Sequence, residues 1–344
     1  MSGWRMMRAV LPVTLALAAC SGGSGAPELE DYERRVARVL ELPAEQLEAV
    51  YTTLPRPREL RLPLPEQSVS WGDFAELHRC DLGGLAGYRN SGLGRMQDAV
   101  ERLRYEARWL AAGDQCRRVA ARPSAIALAE RLVTTKRAVL ERLTFNAVFA
   151  GPEFQDWLGA AAGAGTASPE PVLLTLRAAV ADLDAGNQGA AQIDQLTAAL
   201  AQLPAVASAG PAQRSWARYR AGLALVTAGL KAKGGAVCRS GTPTPRARRL
   251  ERVFMKYYVL EVQPLIARQL NADRRWLQAL EALVAATPVR STPFDRWYER
   301  TLSLEADDSE WRRTLTALRT HAGAWQAFAD SCGLRLLPQP GGQA

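Results

Sequence analysis

The apolar residues of this chain recur at every third and fourth position and almost nowhere alternate. Val36, Val39 and Leu40 fall on one helical face, as do Val100, Leu103, Ala107 and Leu110. A third series is Ile126, Leu132, Val133, Leu140, Leu143 and Val148, and a fourth is Leu250, Phe254, Tyr257, Leu260 and Ile266. This spacing is that of a helix burying one side. Strands do not alternate with helices, which excludes a nucleotide-binding parallel sheet. No period of 20–50 residues recurs, which excludes a helical solenoid. The expected class is all-α, a multi-helix bundle. The one exception is Leu60, Leu62 and Leu64, which alternate within a run holding Pro55, Pro57, Pro63 and Pro65. That run predicts a short extended edge segment near 60–65. With 344 residues, 48% of them hydrophobic, the chain can bury a sizeable core.

Punctuation places the helices. They are expected over 29–41, 44–51 and 71–82, the last opened by a capping box of Ser70 and Asp73. A glycine-rich turn over 83–94 precedes a helix from Arg95, and another helix covers 124–149 up to Gly151-Pro152. The Ala/Gly-rich stretch 152–211 carries one basic residue, Arg177, against six acids. It predicts two modest helices, 171–183 and 190–203. Further helices are expected over 212–233, 245–270 with a kink at Pro264, 273–286 and 308–330.

The N-terminus is read as an address rather than as fold. Arg5 and Arg8 precede a short apolar run, which ends in Leu17-Ala18-Ala19-Cys20. This resembles the bacterial lipobox, whose cysteine is acylated and becomes the new N-terminus after cleavage. Residues 1–19 are then a lipoprotein signal peptide, and 20–27 are the lipidated Cys20 and a flexible tether. The helical domain covers 28–338, and 339–344 form a disordered tail. Resemblance to enterobacterial sorting signals implies that Ser21 after the cysteine favours the outer membrane, with the domain facing the periplasm.

Formal net charge is +8, with 43 Lys+Arg against 35 Asp+Glu, yet only Lys136, Lys231, Lys233 and Lys256 are lysine. Such an arginine bias reads as coding composition, and the periplasmic address excludes nucleic acid as partner. Four cysteines besides Cys20 remain: Cys80, Cys116, Cys238 and Cys332. An oxidising compartment predicts disulfides. Three pairings are open, and the favoured one joins Cys80 to Cys116 and Cys238 to Cys332. Loops this long imply ~3–4.5 kcal/mol for each bridge.

Chemistry is sparse. Two histidines and no Cys-x-x-Cys leave no metal set, and no cofactor motif is present. His321 stands on a helix with no Gly-x-Ser-x-Gly elbow and is expected at the surface or half-buried. His78 stands beside Glu76, Arg79 and Asp81, a solvated helix face. Gly92-Leu93-Gly94 is neither a phosphate loop nor a dinucleotide fingerprint. Arg89, Asn90, Ser91 and Arg95 around it are a candidate anion site or a structural turn. The turn is preferred, with both arginines buried and paired to acids. No residue is assigned a catalytic role.

The run His78-Arg79-Cys80-Asp81-Leu82, then 89–95 and Arg104-Tyr105-Glu106, resembles an uncharacterised gammaproteobacterial lipoprotein family, domain of unknown function 3080. Thr244-Pro245-Arg246 and Phe254–Tyr258 through Gln263-Pro264 are similar to its C-terminal half. The resemblance implies a lipid anchor and a periplasmic domain, and carries no activity. The function expected is thus a lipid-anchored envelope protein, a non-catalytic helical scaffold or binding module. Its partners are membrane lipid through Cys20 and an envelope protein or peptidoglycan. The alternative is an envelope hydrolase acting on peptidoglycan or lipid.

Overall fold

The structure, a computed structural model, describes residues 26–43, 48–65, 70–78, 82–119, 122–159, 165–184 and 189–336. The stretch expected to be a signal peptide, Cys20, most of the expected tether, Cys80 and the tail from 337 lie outside them.

Helix α1 (Ala26–Leu40) buries Leu29, Tyr32, Val36, Val39 and Leu40. A single turn, α2 (Pro57–Leu60), starts on Pro57, whose missing N–H would be an orphan there in any case. The helix expected over 44–51 is not continued at 48–51, which are irregular, and 44–47 fall outside the described residues. Residues 61–65 are irregular and belong to no sheet among the described residues, so the expected edge segment does not form a strand. Asn146 takes the place of a neighbouring strand: its side chain accepts from the Leu62 N–H at 2.8 Å and donates to the Leu62 carbonyl at 3.0 Å.

Helices α3 (Trp71–His78), α4 (Leu82–Asn90) and α5 (Gly92–Arg95) follow. The capping box forms as expected: Asp73 N–H donates to Ser70 Oγ at 3.1 Å and Ser70 N–H to Asp73 at 3.3 Å. The glycine-rich stretch is a correction, since it is helical rather than an open turn. Gly94 explains one glycine, because a Cβ there would collide with the Tyr88 carbonyl.

Two long antiparallel neighbours, α6 (Ala99–Val119) and α7 (Pro123–Val148), pack along each other. The α6 start at Ala99, not Arg95, is set by Asp98, whose carboxylate accepts the Glu101 N–H at 2.8 Å. Then come α8 (Pro152–Leu158), α9 (Glu170–Asp184) and α10 (Ala190–Gln202). The last two match the two modest helices expected of the Ala/Gly-rich middle, whereas α8 was not expected, and α9 packs on α10 and on α13, described below. Helix α11 (Ala209–Lys233) ends at Gly234. A minimal hairpin pairs β1 (Cys238–Arg239) with β2 (Thr242–Pro243). Its turn residues, Ser240 and Gly241, both have positive φ, as a tight two-residue hairpin demands.

Helix α12 (Pro245–Val253) runs without a break into a π-helical stretch, Phe254–Val262, and then into α13 (Gln263–Ala285). Pro264 is the cause: it has no N–H and its ring would strike the carbonyl four residues back. Wider turns just before it absorb the misfit, and Gln263 N–H reaches the Tyr258 carbonyl, five residues back. Helix α14 (Thr292–Thr301), which periodicity missed, precedes α15 (Glu310–Ser331), which lies along α11. Cys238 and Cys332 form a disulfide with Cα atoms 5.4 Å apart, the pairing expected. It ties the hairpin to the end of α15. Cys116 is also disulfide-bonded, and its expected partner Cys80 lies outside the described residues.

The core is one continuous cluster. Its aromatic spine runs Phe294–Phe149 (4.6 Å between ring centroids), Phe149–Phe154 (5.0 Å), Phe154–Trp157 (5.6 Å), Trp157–Trp276 (5.6 Å) and Trp276–Trp216 (6.0 Å).

Candidate functional site

The π-helical stretch changes which residues face outward. In an α-helix a stride of four advances about 40° around the axis, so a long series of fourth residues drifts off one face. The wider turns cancel that drift, and Leu250, Phe254, Tyr258, Val262 and Ile266 are all buried. The buried stripe expected from the sequence had Tyr257 and Leu260 in place of Tyr258 and Val262. Instead Tyr257 is half-buried and Leu260 is 71% exposed.

Those displaced side chains line a groove of about 540 Å³ between α1 and the α12–π segment. Val39, Val253, Met255, Tyr257 and Leu260 give it apolar walls. Arg35 and Arg38 come from α1, and Arg249, Arg252 and Lys256 from the facing segment. Arg35 is committed internally: its Nε donates to Asp31 at 2.6 Å and its guanidinium lies 3.9 Å from the Tyr257 ring centroid. That hydrogen bond holds the Asp31 carboxyl below its ordinary range and raises Arg35. Arg38, Arg249, Arg252 and Lys256 are exposed and form no ion pair among the described residues. The groove wall is pinned by Arg246, which donates to the Val39 carbonyl at 2.6 Å and pairs with Glu41 at 3.2 Å. Four uncompensated cations around apolar side chains suit a ligand with both an anionic and an apolar part.

The residues singled out in the sequence sit elsewhere. Ser91 caps α5, accepting the Gly94 N–H at 3.1 Å, and Arg89 donates to the Gly94 carbonyl. Arg89 is half-buried, while Asn90 and Arg95 are exposed. The expected burial of Arg89 and Arg95 against acids is therefore corrected: neither makes an ion pair among the described residues. The segment is too short and too exposed to enclose them, and Arg89 satisfies a backbone carbonyl instead. His78 is exposed at the end of α3, and the side chains of Glu76, Arg79 and Asp81 lie outside the described set.

His321 corrects a second expectation, for it is wholly buried. Tyr32 Oη lies 3.0 Å from its Nε2, Trp325 Nε1 donates to the same nitrogen at 3.2 Å, and Thr227 Oγ1 lies 3.3 Å from Nδ1. Burial lowers its pKa to about 4. The imidazole is a neutral hydrogen-bonding strut between α1, α11 and α15.

Sequence reasoning also missed the buried charged groups, among them Glu106, Lys136 and Asp273. Glu106, wholly buried on α6, holds Arg102 at 2.5 Å and Lys136 of α7 at 2.7 Å. Lys136 lies 5.2 Å from the Tyr105 ring and 5.3 Å from Trp109; burial lowers its pKa, against the opposing pull of Glu106. The signal was available in part, because Lys136 is one of four lysines among 43 basic residues. Asp273, 2% exposed, accepts from Trp216 at 2.8 Å, Trp276 at 3.0 Å and Gln269 at 2.9 Å, and burial raises its pKa. Each cluster is closed on itself and knits helices together. Among the described residues no three His, Cys, Asp or Glu side chains converge as a metal set, and no helix is long and apolar enough to cross a membrane.

The model of one protein family, described as a protein of unknown function (DUF3080), matches residues 29–336. Neither the curated proteins nor the solved structures yield a match.

Proposed function

The chain belongs to the DUF3080 family, and we propose that it is a lipid-anchored binding module of the bacterial cell envelope, without catalytic chemistry of its own. Two features support the reading. Leu17-Ala18-Ala19-Cys20, after a basic start and a short apolar run, fits acylation at Cys20. The observation that carries the binding role is the groove between α1 and the α12–π segment, which combines unpaired cations with apolar walls. In this reading signal cleavage leaves Cys20 as an acylated N-terminus in the outer membrane, and the helical domain stands in the periplasm. Two or three acyl chains, at ~0.8 kcal/mol per buried methylene, hold it there durably.

Metabolic labelling with an alkyne palmitate tests the anchor. The parent chain is expected to take up label and to fractionate with membranes, and Cys20→Ala is expected to take up none. Label retained by Cys20→Ala would overturn the anchor.

A further inference from the structure

We propose that the ligand of the groove is an anionic phospholipid of the membrane to which the chain is tethered, which deepens the binding reading above and rests on its anchor. The phosphate is held among Arg38, Arg249, Arg252 and Lys256, and the first acyl methylenes lie against Val253, Met255 and Leu260.

Charge complementarity is the first argument. Arg38 on one wall faces Arg249, Arg252 and Lys256 on the other, and none of the four has a carboxylate partner among the described residues. Guanidinium groups bind phosphate through paired N–H donors. The apolar part is the second argument. Leu260 is 71% exposed, although it belongs to a helical run whose other face is core. A purely hydrophilic anion would leave that surface wet. At about 540 Å³ the groove has the size of a small-molecule pocket, for which 300–1,000 Å³ is roughly usual.

The length of the tether favours a lipid over an acidic peptide. Helix α1 begins six residues after Cys20, and six extended residues span at most about 22 Å. Arg35 and Arg38 lie nine and twelve residues further along α1, or about 14–18 Å at the helical rise. The groove is thus confined within about 40 Å of the acylated sulfur. Membrane phosphates are always present within that radius.

Vesicle sedimentation of the mature chain, residues 20–344 carrying Cys20→Ser, tests the proposal; it retains every described residue. Phosphatidylcholine vesicles with and without phosphatidylglycerol are the probes, at low ionic strength. Binding is expected only to the anionic vesicles. Arg38→Gln with Arg252→Gln should weaken it about 30-fold, from ~1 kcal/mol for each cation at a charged surface. Leu260→Asn, at an exposed position, should weaken it roughly tenfold. Arg58→Gln with Arg61→Gln removes the same charge from exposed residues outside the groove and should have far less effect. Equal losses from the two arginine pairs, equal binding to neutral vesicles, indifference to Leu260, or displacement from the vesicles by polyglutamate would each overturn the lipid assignment. No acyl group is present in this chain, so its failure and a failure of the palmitate experiment are separate results.

Discussion

Two clusters of this protein are built from the same parts, and they have opposite fates. Between α6 and α7, Arg102 and Lys136 stand beside Tyr105 and Trp109. Along the groove, Arg35 and Lys256 stand over Tyr257, with Arg38, Arg249 and Arg252 near. The difference is a buried, central carboxylate, since the only acid in the second cluster's ion pairs among the described residues, Asp31, is taken by Arg34 and Arg35. Glu106 sits at the centre of the first cluster and has no counterpart among the four free cations of the second. Removing an ion from water costs several kcal/mol unless an opposite charge and hydrogen bonds offset it. The first cluster meets the charge half of that condition, through the pairs of Glu106 with Arg102 and Lys136, and is buried. The second remains at the surface, where cations without partners are tolerated because water solvates them, and stay available to an incoming anion. A basic residue beside an aromatic one therefore says little until its desolvation is known.

The strongest test of this contrast removes a buried partner. Lys136→Met leaves Glu106 buried with Arg102 alone, and should destabilise the fold by ~3–5 kcal/mol in denaturant unfolding. A loss under about 1 kcal/mol would mean that the α6–α7 cluster is not sealed as its geometry indicates.

A second test places a charge where nothing pairs with it. His321 has a folded pKa of about 4 against an ordinary 6.5. The unfolded chain therefore binds the proton first as pH falls, and stability drops between pH 6.5 and 4. The full loss is ~3 kcal/mol, because each tenfold change in proton affinity is worth about 1.4 kcal/mol. Asp273, whose pKa burial raises, acts in the opposite direction, losing stability as pH rises through its folded value. The quantity to measure is thus the difference between the parent and His321→Gln across this range. Parallel pH profiles for the two chains would contradict the buried, neutral histidine.

The smallest effect belongs to the groove. Arg38→Gln with Arg252→Gln removes two exposed, unpaired cations, so thermal stability should move by no more than about 0.5 kcal/mol. A larger loss would show that these arginines hold the fold and are not free for a ligand.

Much of this architecture was legible from residue spacing. The helices around α7, α9, α10 and α11 fall within a few residues of their expected bounds, because caps, prolines and apolar periods act within a turn or two of the chain. Ser70 and Asp73 form their capping box for the same reason. The groove was not legible. Its exposed leucine follows from a π-helical detour that only appears once Leu250, Phe254, Tyr258, Val262 and Ile266 must all reach the core together. Read at about 3.6 residues per turn, Leu260 belongs inside.

By itself, the sequence determined the all-α class, the family and the bounds of most of the longer helices. Those depend on local conformation and on patterns carried in consecutive residues. Tertiary structure alone decided which polar groups are sealed and which are open. Tyr32 meets His321 across 289 positions, Arg218 meets Glu33 across 185, and Leu62 is held by Asn146 across 84. No local pattern encodes such meetings. Desolvation, which settles whether a charge is a strut or a binding group, depends on every element packed around it.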